Sequence, residues 1–282
     1  MKLTILGSGS PEAYMRRASS GYLIQTGTDC ILFDCGGGVF DNLLRSGRLP
    51  SQITHVVFSH LHSDHMMDYA RLIHAAWEEG SGPIQVYGPA PIKAITEGYF
   101  GPEGVLSHDL RARTELPQSQ QVWVARGGSL PRPWPAPVIR EISCGEPITG
   151  TDWHIETCRA PHAQPFLDCM AISLTAKGKK FVYSGDAGLC ADVEALARDA
   201  DLLLHWCYRL DGEEVTPDMA ATTPTPSEIG AMAKRVGARK VILTHFRKHM
   251  DDPAHFENAR QEASRAFGHP VAIAEDLQQI EI

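Results

Sequence analysis

Apolar residues in the N-terminal third fall into short runs separated by Gly, Ser and Asp. Lys2–Leu6, Tyr22–Gln25 and Ile31–Phe33 predict strands on that ground. Gly36-Gly37-Gly38 permits a tight turn, and a helix is expected near Val39–Leu44. Thr54–Phe58 is a β-branched apolar run with no alternation, which predicts a central strand buried on both faces. Beyond it, Tyr69, Leu72, Ile73 and Ala76 recur at spacings of three and four, the period of an amphipathic helix. Ile84–Tyr87 predicts a further strand and Pro91–Gly98 a helix. The pattern then fails. Gly101–Pro137 is rich in Gly, Pro, Gln and Arg with weak periodicity, and predicts an irregular insertion around 101–137 rather than a separate domain.

The C-terminal half resumes the alternation. Strands are expected at Trp153–Cys158, Met170–Thr175, Phe181–Tyr183, Leu202–His205 and Val241–Thr244. Helices are expected at Ala191–Arg198, from Thr225-Pro226-Ser227-Glu228 to Val236 with Pro in the first turn, and at Ala254–Phe267. Short strands mixed with single helices imply an α/β fold of packed sheets with helices outside, one domain over residues 1–282.

Composition narrows the class. A chain of 282 residues buries enough surface to need no disulfide staples. Its seven cysteines form no CxxC pair, which suits buried thiols in a reducing compartment. Gly7-Ser8-Gly9-Ser10 breaks the first apolar run before it could serve as a secretory leader, and no stretch reaches membrane-spanning length. A cytoplasmic protein with no membrane partner is therefore expected. The net charge of −8 repels polyanions at long range and counts mildly against nucleic acid.

The chemistry is concentrated in Ser59-His60-Leu61-His62-Ser63-Asp64-His65, directly after the Thr54–Phe58 strand. Neutral imidazoles and carboxylates are the usual ligands of zinc and similar ions. Three His and an Asp on one loop can project toward one point, whereas a solvated surface loop seldom gathers imidazoles with no Lys or Glu among them. Ala160-Pro161-His162, Ser184-Gly185-Asp186 and Leu243-Thr244-His245-Phe246 add similar residues at expected strand ends. Each alone would read as a structural His or a turn Asp.

Taken in this order, the segments resemble the HxHxDH signature and the downstream ligands of the metallo-β-lactamase superfamily, and the likeness runs along nearly the whole chain. It implies a four-layer αβ/βα sandwich with two mixed sheets facing each other and helices outside. It also implies two divalent metal ions, Zn2+ by default, with Mn2+ or Fe equally suited to the donors. His60, His62 and His162 would hold one ion, Asp64, His65 and His245 the other, and Asp186 would bridge them. A bridging hydroxide would be the nucleophile.

Leu6-Gly7-Ser8-Gly9-Ser10, Val86-Tyr87-Gly88-Pro89 and the run from Pro226 to Phe246 are similar to the ribonuclease Z-like branch. The typical substrate of that branch is a phosphodiester, the 3′ extension of precursor tRNA, and relatives often form homodimers. Two positions depart from the branch. Trp206 stands where a proton-relaying Glu is expected, and Thr223 where its partner His would be. His205 is then the candidate substitute beside Asp64 as a catalytic residue. Ser8, Trp206, Tyr208, Arg209 and Thr223 are the candidate pocket residues. Trp123 and Trp134 in the insertion are candidates for a lid. The remaining histidines read as surface or core residues.

The primary reading is thus a metal-dependent hydrolase of a phosphodiester. The missing pair and the acidic charge favour an alternative, a smaller ester such as a lactone, sulfate ester or cyclic nucleotide. A non-catalytic metal-binding member is the reading from another class.

Overall fold

The computed structural model describes all 282 residues. Fourteen strands form two seven-stranded sheets. The first contains β1 (Lys2–Gly7), β2 (Gly21–Thr26), β3 (Asp29–Phe33), β4 (His55–Val57), β5 (Gln85–Gly88) and β6 (Val138–Glu141), with the C-terminal strand β14 (Gln279–Glu281) beside β1. The second contains β7 (Ile148–Thr149), β8 (Trp153–Arg159), β9 (Met170–Ala176), β10 (Lys179–Tyr183), β11 (Leu202–Trp206), β12 (Val241–Thr244) and β13 (Ala272–Ile273), in consecutive order. Each sheet is mixed in the same way. Strands β14-β1-β2-β3 pair antiparallel and β3-β4-β5-β6 parallel. Strands β7-β8-β9-β10 pair antiparallel and β10-β11-β12-β13 parallel.

The sheets face each other as expected. Alternate residues of β1 to β3 (Leu3, Ile5, Tyr22, Ile24, Ile31, Phe33) share one core with Ile172, Leu174, Phe181 and Leu203 of the second sheet. Phe33 packs on Phe181 at 5.8 Å between centroids, and Tyr22 on Tyr183 at 4.8 Å. The opposite residues, Leu6, Leu23, Leu32 and Val56, bury themselves under helices α1 (Val39–Arg45), α3 (Tyr69–Glu78) and α4 (Ile92–Phe100). A strand buried on both faces cannot alternate with polar residues, hence the continuous apolar runs.

Beyond the second sheet lie α9 (Pro226–Arg235) and α10 (Pro253–Phe267). Thr225 and Glu228 form a reciprocal capping box on α9, and Asp252 caps α10. The two helices meet at Gly230, where a β-carbon would lie 2.2 Å from the Ala263 carbonyl oxygen.

The insertion around 101–137 is irregular only in part: residues 126–137 carry no helix or strand, but two helices precede them. Ser107–Glu115 and Pro117–Ala125 are helices, α5 and α6. Neither carries a strong apolar stripe, and α6 buries no residue, so helical periodicity had nothing to report. Helix α5 is anchored by Leu110, fully buried in the core beneath α3 and α4, and Arg113 adds half-exposed ion pairs to Asp109 and to Glu78 of α3. Arg132 lies 3.5 Å from the Trp77 ring centroid and 4.2 Å from that of Trp123. Trp123 and Trp134 are thereby wall groups of this subassembly: Trp123 Nε1 donates to Ser129 O and Trp134 Nε1 to Thr114 Oγ1. No helix is long and apolar enough to cross a membrane.

Candidate metal centre

The seven residues singled out as ligands converge at one end of the two sheets. His60 and His62 lie on the loop after β4, and Asp64 and His65 on α2 (Ser63–Met66), which that loop opens. His162 follows β8, Asp186 follows β10 and His245 follows β12. Their donor atoms form three overlapping groups: His60, His62 and His162; His60, His65 and Asp186; and Asp64, His65 and His245. In the first group His60 Nε2 is 2.9 Å and His162 Nε2 is 3.2 Å from His62 Nδ1. In the last, Asp64 Oδ2 lies 3.2 Å from His245 Nε2 and 3.5 Å from His65 Nε2. Asp186 Oδ2 stands between them, 3.2 Å from His245, 3.5 Å from His65, 3.6 Å from His162 and 4.0 Å from His60.

These spacings fit ligands that share ions. Donors at zinc bond lengths on a tetrahedral ion lie about 3.4 Å apart. His65 Nε2, His245 Nδ1 and Asp186 Oδ1 are buried with no hydrogen-bond partner, an arrangement that is costly unless something else meets part of the set. The electrostatics agree. Burial alone would raise the Asp186 carboxyl, yet His245, His65 and His60 hold it well below the usual carboxylate range. Burial alone would lower His65, yet Asp186 and Asp34 raise it well above an ordinary imidazole. His245 is raised in the same way by Asp186 and Asp64. His60 and His162 are pushed down, by burial first. The set therefore demands positive charge around Asp186 while keeping other imidazoles neutral and able to ligate. An all-nitrogen-and-oxygen donor set suits zinc, manganese or iron.

Asp34 escaped the sequence reading. It is fully buried, and its carboxylate accepts four hydrogen bonds at 2.8 Å: from Ser59 N–H, Ser59 Oγ, His65 Nδ1 and Tyr183 Oη. It thus anchors the His-rich loop and engages His65 through Nδ1, so that Nε2 is the nitrogen turned toward Asp64 and Asp186. Asp34 and His245 both adopt the left-handed region, with φ of 57° and 62°, uncommon for residues with a β-carbon. The one signal available was its position at the end of the Ile31–Phe33 run, ahead of Cys35-Gly36-Gly37.

The pocket candidates divide. Trp206 is 2% exposed and packs edge-on to both His162 and His245, with centroids at 5.2 and 5.7 Å, while Nε1–H donates to Ala187 O. Tyr208 stacks on Trp206 at 5.5 Å and lies 5.9 Å from the His245 ring. The other candidates are spent elsewhere. Ser8 Oγ donates to Asp276 and accepts from Arg17, and its backbone amide also donates to Asp276. Thr223 Oγ1 donates to Met219 O, closing helix α8 (Pro217–Thr222). Arg209 donates to the Thr223 carbonyl and pairs with Glu228.

His205 is not placed to replace a lost acid. Side chains alternate along a strand, so with Trp206 turned to the cluster His205 points to the other face. It is fully buried, and its Nδ1–H donates to the Trp206 carbonyl. Burial pushes its pKa down to about 4, which leaves it neutral and without a proton to give at neutral pH.

Comparison with known proteins agrees with the architecture. The model of the Beta-lactamase superfamily domain matches residues 30–246. A ribonuclease Z of Methanosarcina acetivorans is 26% identical, the match covering 100% of this chain and 98% of that one. Among solved structures, the metallo-beta-lactamase fold protein YhfI from Bacillus subtilis is similar with a TM-score of 0.75 at 24% identity, covering 100% of this chain and 98% of the other. The short form of human tRNase Z is similar with a TM-score of 0.70 at 22% identity, covering 100% and 99%. At these identities the structural likeness speaks for the fold.

Proposed function

Since this chain belongs to the β-lactamase superfamily and is a metal-dependent hydrolase, we propose that it cleaves a phosphodiester at a two-metal centre. In this reading His60, His62 and His162 would hold one divalent ion, Asp64, His65 and His245 would hold the second, and Asp186 would be shared between the two. The observation that carries it is the position of Asp186 Oδ2, within 3.2–4.0 Å of imidazoles from both triads. When bound, such a pair of ions supplies an acidified water and neutralises charge on a phosphoryl group undergoing in-line displacement.

The chain's own residues do the rest. Asp34 and Ser59 hold His65 and His60 in orientation through their Nδ1 atoms. Asp64 Oδ2 and His245 Nε2 face each other at 3.2 Å, so α2 and the end of β12 would present donors to the same ion. Trp206 walls the floor between His162 and His245 and excludes water there. The resemblance to proteins named ribonuclease Z supports the phosphodiester class.

A second reading, a smaller ester, draws on the same Trp206. An indole whose only N–H is committed to Ala187 cannot protonate a leaving group, so a reactive ester would suit the site. The test is a panel of bis(p-nitrophenyl) phosphate, a precursor tRNA, an aryl sulfate and simple lactones with zinc- or manganese-loaded protein. Phosphodiester turnover that vanishes in Asp186→Ala is expected. Lactone or sulfate-ester turnover with neither phosphodiester cleaved would overturn the proposal in favour of the second reading.

A further inference from the structure

Several hydrogen-bond donors around the cluster are already engaged. Trp206 Nε1 donates to Ala187 O, His205 Nδ1 to Trp206 O, Tyr183 Oη to Asp34 and Tyr14 Oη to Phe246 O. Tyr208 is not held in this way. Its ring is half-buried and its hydroxyl makes no hydrogen bond. The ring is held by two neighbours, the Trp206 indole stacked at 5.5 Å and the Arg247 guanidinium centred 4.8 Å over its centroid. Arg247 is in turn held by Glu213, whose carboxylate also accepts the Leu210 amide at 3.1 Å.

Packing alone would be served equally by Phe. A clamped tyrosine with an uncommitted hydroxyl is instead a preorganised donor, costing no reorganisation when charge develops nearby. Its ring centroid lies 5.9 Å from that of His245, beside the cluster.

We propose that the Tyr208 hydroxyl donates a hydrogen bond to the departing oxygen of the substrate, with Arg247 and Glu213 as the residues that position its ring. In that step a water oxygen forms a new bond to phosphorus and loses its proton to solvent, the bond from phosphorus to the departing oxygen breaks, the electron pair passes to that oxygen, and the Tyr208 O–H steadies the new charge until solvent protonates it. The inference rests on the hydrolase reading of the site and deepens it. It also names a substrate feature, a leaving group that leaves as a hydrogen-bonded oxyanion rather than as an alcohol protonated by a carboxylic acid.

The experiment compares wild type and Tyr208→Phe on aryl phosphodiesters whose leaving phenols range from p-nitrophenol to unsubstituted phenol, and in parallel on the matching aryl carboxylic esters. Bound metal and thermal midpoint are measured on both proteins. A donor to the departing oxygen matters most where charge there is least delocalised. The loss in kcat should be within about 3-fold for p-nitrophenol and grow to about 100-fold for phenol, with metal content unchanged. An equal loss across the series, or none, overturns the proposal. Arg247→Gln, which frees the ring while sparing the hydroxyl, should steepen the dependence in the same direction, and it decides the matter if Tyr208→Phe folds poorly. If only the carboxylic esters are cleaved, the phosphodiester reading falls and Tyr208 is judged on that series. If metal-loaded wild type cleaves neither, both fall.

Discussion

Asp34→Asn offers the sharpest test of how this centre is held, because it removes a charge and almost no volume. The Asp34 Oδ1 accepts Ser59 N–H, while Oδ2 accepts Ser59 Oγ, His65 Nδ1 and Tyr183 Oη, all at 2.8 Å. An amide has two orientations here and neither suits. With its oxygen toward Ser59 N–H, the amide NH2 faces three donors. The hydroxyls can turn, but His65 must then carry its proton on Nε2, the nitrogen that lies 3.5 Å from both Asp64 and Asp186. With its oxygen toward His65, the NH2 opposes the buried Ser59 N–H, and His65 keeps only a neutral acceptor. Either outcome forfeits a charge-assisted hydrogen bond or strands a buried donor, at about 1.5–3 kcal/mol. By linkage that is about 10- to 100-fold in affinity for the ion at His65. Elemental analysis after dialysis against graded chelator would read it. One ion should be lost at chelator concentrations where wild type retains both, while circular dichroism reports an intact fold. Tyr183→Phe, which leaves Asp34 three of its four donors, should cost under about 1 kcal/mol. Retention of both ions by Asp34→Asn at the wild-type chelator midpoint would refute the reasoning.

Three further outcomes follow from the same geometry. Zinc at 100-fold over its dissociation constant should raise stability by about 2.7 kcal/mol, read as a thermal shift, and His162→Ala should diminish that shift. His205 is fully buried with a pKa lowered from 6.5 to about 4, so its neutral form contributes stability that is complete above pH 6.5 and is lost as pH falls toward 4. That loss is on the order of 3 kcal/mol, and denaturant midpoints of wild type and His205→Gln should converge in their pH dependence only above pH 6.5. Gly230→Ala places a β-carbon 2.2 Å from the Ala263 carbonyl oxygen and should destabilise by about 2 kcal/mol in urea unfolding; a neutral result would mean that α9 and α10 can slide apart freely.

What the sequence discloses about this protein depends on how local each cause is. His60, His62, Asp64 and His65 are legible because one short loop and the first turn of α2 carry all four. The core strands are legible because burial on both faces leaves an unbroken apolar run. Asp34 is not, because its function lies in partners 25, 31 and 149 residues away, and no spacing rule spans those distances. Helices α5 and α6 are not, because a single buried leucine, Leu110, anchors one and a guanidinium between two indoles packs on the other, and neither makes an apolar stripe. The role of His205 is hidden for a third reason. Its residue type suggests acid chemistry, but facing is set by strand register, and β11 turns Trp206 rather than His205 toward the cluster.

The centre itself is a consequence of topology. Asp34 and the His-rich loop leave the ends of β3 and β4, which run parallel in the first sheet. His162, Asp186, Tyr208 and His245 leave the ends of β8, β10, β11 and β12. Two antiparallel steps through β9 make β8 run with β10, and β10, β11 and β12 pair parallel. Every one of these groups therefore stands at the C-terminal end of its strand, in the crevice where open α/β sheets place their ligands. Because the two sheets share one packed core, the distance between the crevice walls is set by residues such as Phe33 and Phe181 and not by the ligands. Removing a ligand should then change what the site binds while leaving its walls in place. Shortening a core aromatic, as in Phe181→Ala at about 3–5 kcal/mol, should loosen both ions at once even though no donor atom has been touched.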